Sequence, residues 1–349
     1  MTVLLGLVAA LLGLAVAMIV LLVLVRVTSG WREARHAREH AVTRDTLLTF
    51  VLGEDDEVDL ARSRLAAMAG GEWSRTEQQI FRLLPKVAGE TRARLVELVR
   101  DRGAAQRARR LVRSPSAVVR CRGAHRLGAL REPADVPVLV DLLHDRRFLV
   151  RRVALRGLGS IADPGAVPAV LATCGDPALT RDVVSALQRM GVRAAPALRT
   201  ELESALATGD AEDRTAEIAI IALGLIGDAG AVGLLLRALE TGSEPVRAEA
   251  ATALGLVGAP QAIPALLDRL GSGHDRVRRA AARALGEIGD AGAVPGLSQA
   301  LETSPRLTSR ALASALLRLG APGREVLHRH RSPYAREALA VDELRAASR

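Results

Sequence analysis

The sequence has almost no aromatic residues. Phe, Trp and Tyr make up 2% of its 349 residues. They are Trp31, Phe50, Trp73, Phe81, Phe148 and Tyr334, with none between the last two. That gap excludes stacking platforms for single-stranded nucleic acid and aromatic cages for cations over this stretch. Lysine is nearly absent too. Lys86 stands alone, so the net charge of +9 rests on arginine. Arginine stays charged at any working pH and pairs with carboxylates through a planar fork. No block of like charge dominates. Arginines and acids alternate, which reads as a solvated helical surface. Cysteine is scarce: Cys121 and Cys174 lie far apart and form no CxxC, so neither a disulfide framework nor a zinc site is signalled. The count fits a reducing compartment. With 25% charged residues, the chain is not globally disordered.

Charge is also missing from the first stretch, and there its absence is informative. Residues 3–25 read VLLGLVAALLGLAVAMIVLLVLV, without a charged, proline or polar side chain. At about 1.5 Å per residue the run spans roughly 35 Å, enough to cross a ~30 Å hydrocarbon core. A cleaved signal peptide would have a basic start and a shorter apolar core, so the run is predicted to be an uncleaved transmembrane helix. No basic residue precedes it, while Arg26, Arg32, Arg35, Arg38 and Arg44 follow. The positive-inside rule then puts the N-terminus outside and the rest of the chain in the cytoplasm, as a single-pass plasma-membrane protein. Arg26, Trp31, Arg32, Arg35 and Arg38 are the candidate contacts to lipid headgroups.

The remainder contains a repeat. VRAEAATALGLVGAPQAIPALLDRL from Val246, VRRAAARALGEIGDAGAVPGLSQAL from Val277 and VRRVALRGLGSIADPGAVPAVL from Val150 align at once. Their pivotal leucines belong to the series Leu127, Leu158, Leu187, Leu223, Leu254, Leu285 and Leu316. Arg120, Arg151, Arg247 and Arg278 each precede a pivot at one fixed distance; Pro137, Pro168, Pro264 and Pro295 each follow at another. Each unit reads as two helices. Val277, Ala280, Ala281, Ala284, Leu285 and Ile288 form an apolar stripe at helical spacing, and Val294, Leu297 and Leu301 continue it on the next helix. Gly289 suits a left-handed helix end, Pro295 a first helical turn, and Ser243 and Asp275 offer capping oxygens. Gly286 in mid-helix marks a close approach between helices. One such pair cannot bury its stripe alone, so neighbours stack into a solenoid.

The unit VRxxAxxxLGxIGD…AVPxL resembles the HEAT-like repeat of the phycobilin-lyase type, a short relative of HEAT and armadillo repeats. The resemblance implies an all-α, α-α superhelical solenoid that binds proteins; a minority of such proteins are enzymes or attach bilins. The expected organisation is a transmembrane helix at 3–25, a juxtamembrane and linker segment with helical portions at 26–73, and the solenoid at 74–349. Clear repeats run over about 113–320, with a C-terminal cap at 321–349. Residues 74–112 read as helices without the signature, in TEQQIFRLLPKVAG and ETRARLVELVRDRG. The wider spacing between Leu187 and Leu223 predicts a protruding loop at 207–215.

Catalytic chemistry is not signalled. There is no GxSxG, Walker loop or CxxC. His144-Asp145 and His274-Asp275 occur at matching loop positions, but the residues read as turns and caps, so no metal is expected. The run Glu54-Asp55-Asp56-Glu57 reads as a solvated acidic loop in the linker. No catalytic residue, cofactor, small-molecule substrate or nucleic acid is expected. The leading expectation is a membrane-anchored cytoplasmic scaffold, not an enzyme, binding membrane-associated protein partners at the inner face of a bacterial-type plasma membrane. The candidate contacts are the ladder Arg120, Arg151, Arg247 and Arg278, which would otherwise be joined to neighbouring-repeat acids such as Asp275 and Glu249. A nucleic-acid-binding protein, or a bilin-lyase or hydroxylase type of enzyme, is the alternative.

Overall fold

The computed structural model describes residues 45–209 and 214–347. The expected membrane span at 3–25 and its flanking residues Arg26, Trp31, Arg32, Arg35 and Arg38 lie outside the described residues. No helix among the described residues is long and apolar enough to cross a membrane. The described backbone is helical throughout, without a strand. It divides into two compact units at Ala104/Ala105.

The first unit contains α1 (45–52), α2 (Asp55–Ala67), α3 (Gly70–Leu83) and α4 (Gly89–Asp101). Its core draws on aromatics, which are scarce in the repeats: Phe50, Trp73 and Phe81 are buried with Leu65, Ile80 and Leu95. Arg102 lies 4.0 Å over the Trp73 ring and donates to the Ala66 and Met68 carbonyls, at the open end of α2. The acidic run does not form a linker loop. Glu54 is the N-cap residue and α2 begins at Asp55, where negative charge complements the exposed N–H groups and the helix dipole.

The second unit opens with α5 (Ala104–Leu111) and continues as helix pairs. The first helices of the pairs are α6 (Ala117–Leu130), α8 (Phe148–Ile161), α10 (Thr180–Met190), α12 (Thr215–Ile226), α14 (Glu244–Val257), α16 (Asp275–Ile288) and α18 (Arg306–Arg318). The second helices are α7 (Val136–Asp141), α9 (Val167–Leu171), α11 (Ala195–Thr208), α13 (Val232–Thr241), α15 (Ile263–Leu270), α17 (Val294–Thr303) and α19 (Ala321–Arg329). The first helices pack side by side in one row and the second helices in another, with the first row in closer contact. This is a HEAT-like solenoid. A last helix, α20 (Pro333–Ala347), packs on α18 and ends the array.

The sequence pattern maps directly onto this arrangement. All seven pivotal leucines are 0% exposed and belong to one continuous core. The glycine that follows a pivot faces the next first-row helix. A Cβ on Gly128 would stand 2.5 Å from the Gly157 Cα; on Gly224, Gly255 or Gly286 it would stand 2.7–2.8 Å from the Cα of Ala253, Ala284 or Ala315. Only hydrogen fits there, and the row closes backbone to backbone. Pro137, Pro168, Pro264 and Pro295 all sit in the first turn of a second-row helix, where the missing N–H costs nothing.

Two local expectations are corrected. Ser243 is the N-cap residue of α14 but its hydroxyl makes no capping bond. Asp275 lies inside α16, and its carboxylate is drawn to Arg278 and to the Thr308 hydroxyl instead. The extra length before Leu223 is largely helical: α11 runs on to Thr208 and ends at Gly209 in the left-handed region. The rest of the expected loop, 210–213, lies outside the described residues.

Candidate functional site

The four repeated arginines sit where the loop between repeats enters a first-row helix. Arg120 forks onto Asp145, with Nε to Oδ2 at 2.7 Å and Nη2 to Oδ1 at 2.9 Å. Its Nη1 donates to the Ser114 and Pro115 carbonyls at 3.0 and 2.9 Å. Arg151 repeats the pattern one unit on: Nη1 donates to the Asp145 carbonyl at 3.1 Å and Nη2 to Asp176 Oδ2 at 2.7 Å. Asp145 is thus shared by two arginines, through its side chain and its main chain. It also accepts from the Arg147 N–H at 2.9 Å, which shapes the turn into α8. Asp176 shapes the turn before α10 by accepting from the Ala178 N–H.

The electrostatics follow from these contacts. The hydrogen bond from Arg120 holds the Asp145 carboxyl below its ordinary value of 3.8, against the opposing effect of burial. The same bond raises Arg120. Burial, reinforced by Asp145, pushes the neighbouring Cys121 thiol up. Asp275 is lowered chiefly by its bond from Arg278. Arg278 also donates to the Ser272 carbonyl at 2.7 Å, while its Nε, like that of Arg247, is buried without a partner. Glu249 pairs with Arg276 at 2.7 Å. In the early repeats, therefore, Arg120 and Arg151 are engaged in the joints between units. His274 stands 3.0 Å from Glu244, and no three His, Cys, Asp or Glu side chains among the described residues converge as a metal-binding group.

What the first row turns to solvent changes from repeat to repeat. Two residues before the pivot stand His125, Arg156, Ser185, Ile221, Thr252, Arg283 and Ser314. Two residues after it stand Ala129, Ser160, Arg189, Leu225, Leu256, Glu287 and Arg318. The centre of this face is apolar. Leu225 on α12 is 40% exposed and Leu256 on α14 is 48% exposed. Leu256 lies over Gly224, the residue next in the chain to Leu225, with Cδ1 3.5 Å from where a Cβ would stand.

Arginine lines a cleft on either side. A cleft of about 740 Å³ between α8 and α10 is lined by Arg152, Arg156, Arg181 and Arg189, with Asp182 as its carboxylate. Another of about 420 Å³, at α16, α18 and α20, is lined by Arg279, Arg283, Arg310 and Arg318, with Glu337. The helices of this face are those that carry the repeated arginines, but its lining residues lie at the positions that break the repeat rather than at the arginines that keep it.

A family model agrees with the repeat reading over part of the chain. The family model for HEAT repeats matches residues 200–281, 244–318 and 266–340. No curated protein matches the chain. Among solved structures, the complex of CpcE and CpcF of phycocyanin lyase from Nostoc sp. is 24% identical over 68% of this chain and 92% of that one, with a TM-score of 0.34. Human deoxyhypusine hydroxylase is 23% identical over 72% and 99%, with a TM-score of 0.32. Kap95p, in its complex with RanGDP, is 11% identical over 84% and 48%, with a TM-score of 0.49.

Proposed function

We propose that the protein is a scaffold, tethered at the cytoplasmic face of a plasma membrane by residues 3–25, that binds membrane-associated proteins along the solvent side of its first helical row. One observation carries the reading. Along that row the buried pivots repeat, while the exposed positions two residues before and after them vary along the array and include two half-exposed leucines on neighbouring helices. A face kept for solubility alone needs charge, not half-exposed leucines on neighbouring helices. Tethering supports the same reading, because it raises the effective concentration of partners in the same membrane. The function is binding and not catalysis.

In-cell crosslinking of the tagged full-length protein at native level, followed by mass spectrometry, tests it. The control is the same chain beginning at residue 27. A discrete membrane protein captured by the full-length form alone is the expected result. Capture of nucleic acid, or equal capture by both forms, overturns the reading.

A further inference from the structure

The exposed face of the second unit has an order: arginine cleft, apolar patch, arginine cleft. Several arginines in the clefts have their charge already engaged. Arg152 donates to Asp182 Oδ1 at 3.2 Å, Arg310 is held by Glu337, and Arg318 reaches Glu287 at 3.2 Å. Arg181 in one cleft and Arg283 in the other are different. Neither has a carboxylate partner among the described residues. A cation without a carboxylate partner among the described residues, in a groove on the same face as exposed leucines, favours a ligand that brings both carboxylates and apolar side chains. Nucleic acid supplies the charge but nothing for Leu225 and Leu256, and the face has no aromatic platform for bases apart from Phe148 and Tyr334 in the clefts.

We propose that the outer sides of α12 and α14, together with the two arginine clefts, form one docking surface for an acidic amphipathic segment of a partner protein. Its apolar residues seat on Leu225 and Leu256. Its carboxylates enter the clefts, where Arg181 and Arg283 are the receiving cations. This rests on the scaffold reading and supplies the chemistry of the partner.

The test uses the full-length chain in lipid nanodiscs, panned against a phage-displayed library of random 16-residue peptides. Enriched peptides should combine leucine-like residues at helical spacing with a net negative charge. Binding is then read by fluorescence anisotropy of the labelled best peptide. Leu225→Gln with Leu256→Gln should weaken it by on the order of tenfold or more, since two half-buried leucine contacts are lost. Arg181→Glu with Arg283→Glu should weaken it by about tenfold and flatten its salt dependence. Both variants should keep the parental melting temperature.

No enrichment, a neutral or basic consensus, equal binding by the leucine variant, or displacement of the peptide by a 20-nucleotide single strand would each overturn the proposal. In-cell capture separates this failure from that of the scaffold. If the leucine variant captures the same membrane protein as the parent, the docking surface is wrong and the scaffold stands. If neither captures one, the scaffold reading falls as well.

Discussion

Between α6 and α10, each repeat is tied to the next by an arginine that reaches a carboxylate 25 residues on: Arg120 to Asp145, then Arg151 to Asp176. Between α14 and α18 the corresponding arginines, Arg247 and Arg278, are present, but Ser272 and Thr303 stand where the carboxylates would be. There each arginine keeps a buried Nε without a partner. The helix ends differ as well. The early first-row helices turn into the left-handed region at Arg131 and Ala162; the later ones do so at Gly227, Gly258 and Gly289. What both halves share is the buried leucine pivot and the glycine against the next backbone. The shared elements are those the stack requires. The ion-pair joint is an addition that half of the array does without.

The comparison breaks most visibly where the two halves agree. Gly128→Val and Gly255→Val each drive side-chain atoms into a neighbouring Cα that belongs to a packed helix and cannot retreat. Overpacking of this kind costs at least ~2–3 kcal/mol, and the cost should be alike in both halves. Hydrogen exchange resolved along the chain would show the lost protection centred on the mutated pair of helices, because each repeat leans only on its neighbours. A large effect at one glycine and none at the other would mean that the halves do not stack in the same way.

The joints should separate the halves. Arg120→Met leaves the enclosed Asp145 carboxylate without its forked partner, while Arg247→Met removes a cation whose Nε was already orphaned. The first should lower the melting temperature markedly and the second little, since stripping one member of an enclosed pair is what costs most. Acid should act on both halves. The Asp145 carboxyl is lowered by Arg120 and that of Asp275 by Arg278. A carboxyl depressed by folding contributes stability at pH values above its ordinary 3.8, and that stability is lost as pH falls below 3.8 through the folded value. Melting curves from pH 6 to pH 2 should steepen below about pH 4. Asp145→Asn should remove part of that slope and lower stability at neutral pH. An unchanged slope would assign the acid sensitivity elsewhere.

Much of the array could be read from its sequence because its constraints are periodic. The pivots, the Gly286 approach, the Gly289 helix end and the Pro295 start are each fixed by local geometry, and the pattern shows them several times over. The first unit was less legible, since Trp73, Phe81 and Leu95 come together without any repeat to align them. Capping is not legible at Asp275, where an arginine and a hydroxyl take the carboxylate in place of a backbone N–H, and Ser243 makes no capping bond. The exposed face was the hardest to read. Leu225 and Leu256 look like ordinary stripe residues until the register shows that the stripe needs neither of them.

The later joint can be rebuilt. Ser272 Oγ already accepts from the His274 N–H, as Asp145 accepts from Arg147 and Asp176 from Ala178. Ser272→Asp would therefore keep the turn and place a carboxylate opposite Arg247. A gain of about 0.5–1 kcal/mol is expected for a partly exposed, charge-assisted pair. It should vanish in the Arg247→Met background, and a double-mutant cycle by urea unfolding measures that coupling. A gain that survives without Arg247 would reflect the turn alone.

The smallest effect is the most discriminating, because it concerns single backbone positions. Arg131 and Ala162 both hold φ near 60°, a region that costs a residue with a Cβ about 1–2 kcal/mol. Replacing either by glycine removes that cost but adds chain entropy to the unfolded state, about 0.5–1 kcal/mol. The two sites should then part company. Arg131 is exposed, so Arg131→Gly loses no packing and should gain roughly 0.5 kcal/mol or slightly more. The Ala162 methyl packs against the core, so Ala162→Gly gives back part of its gain and should lie near zero. Gly258→Ala, at the matching end of a later repeat, should lose about 1 kcal/mol, because its φ of 69° admits a methyl only under strain. If all three changes were neutral, helix ends would not be what distinguishes the early repeats from the late ones, and the difference would rest on the carboxylates alone.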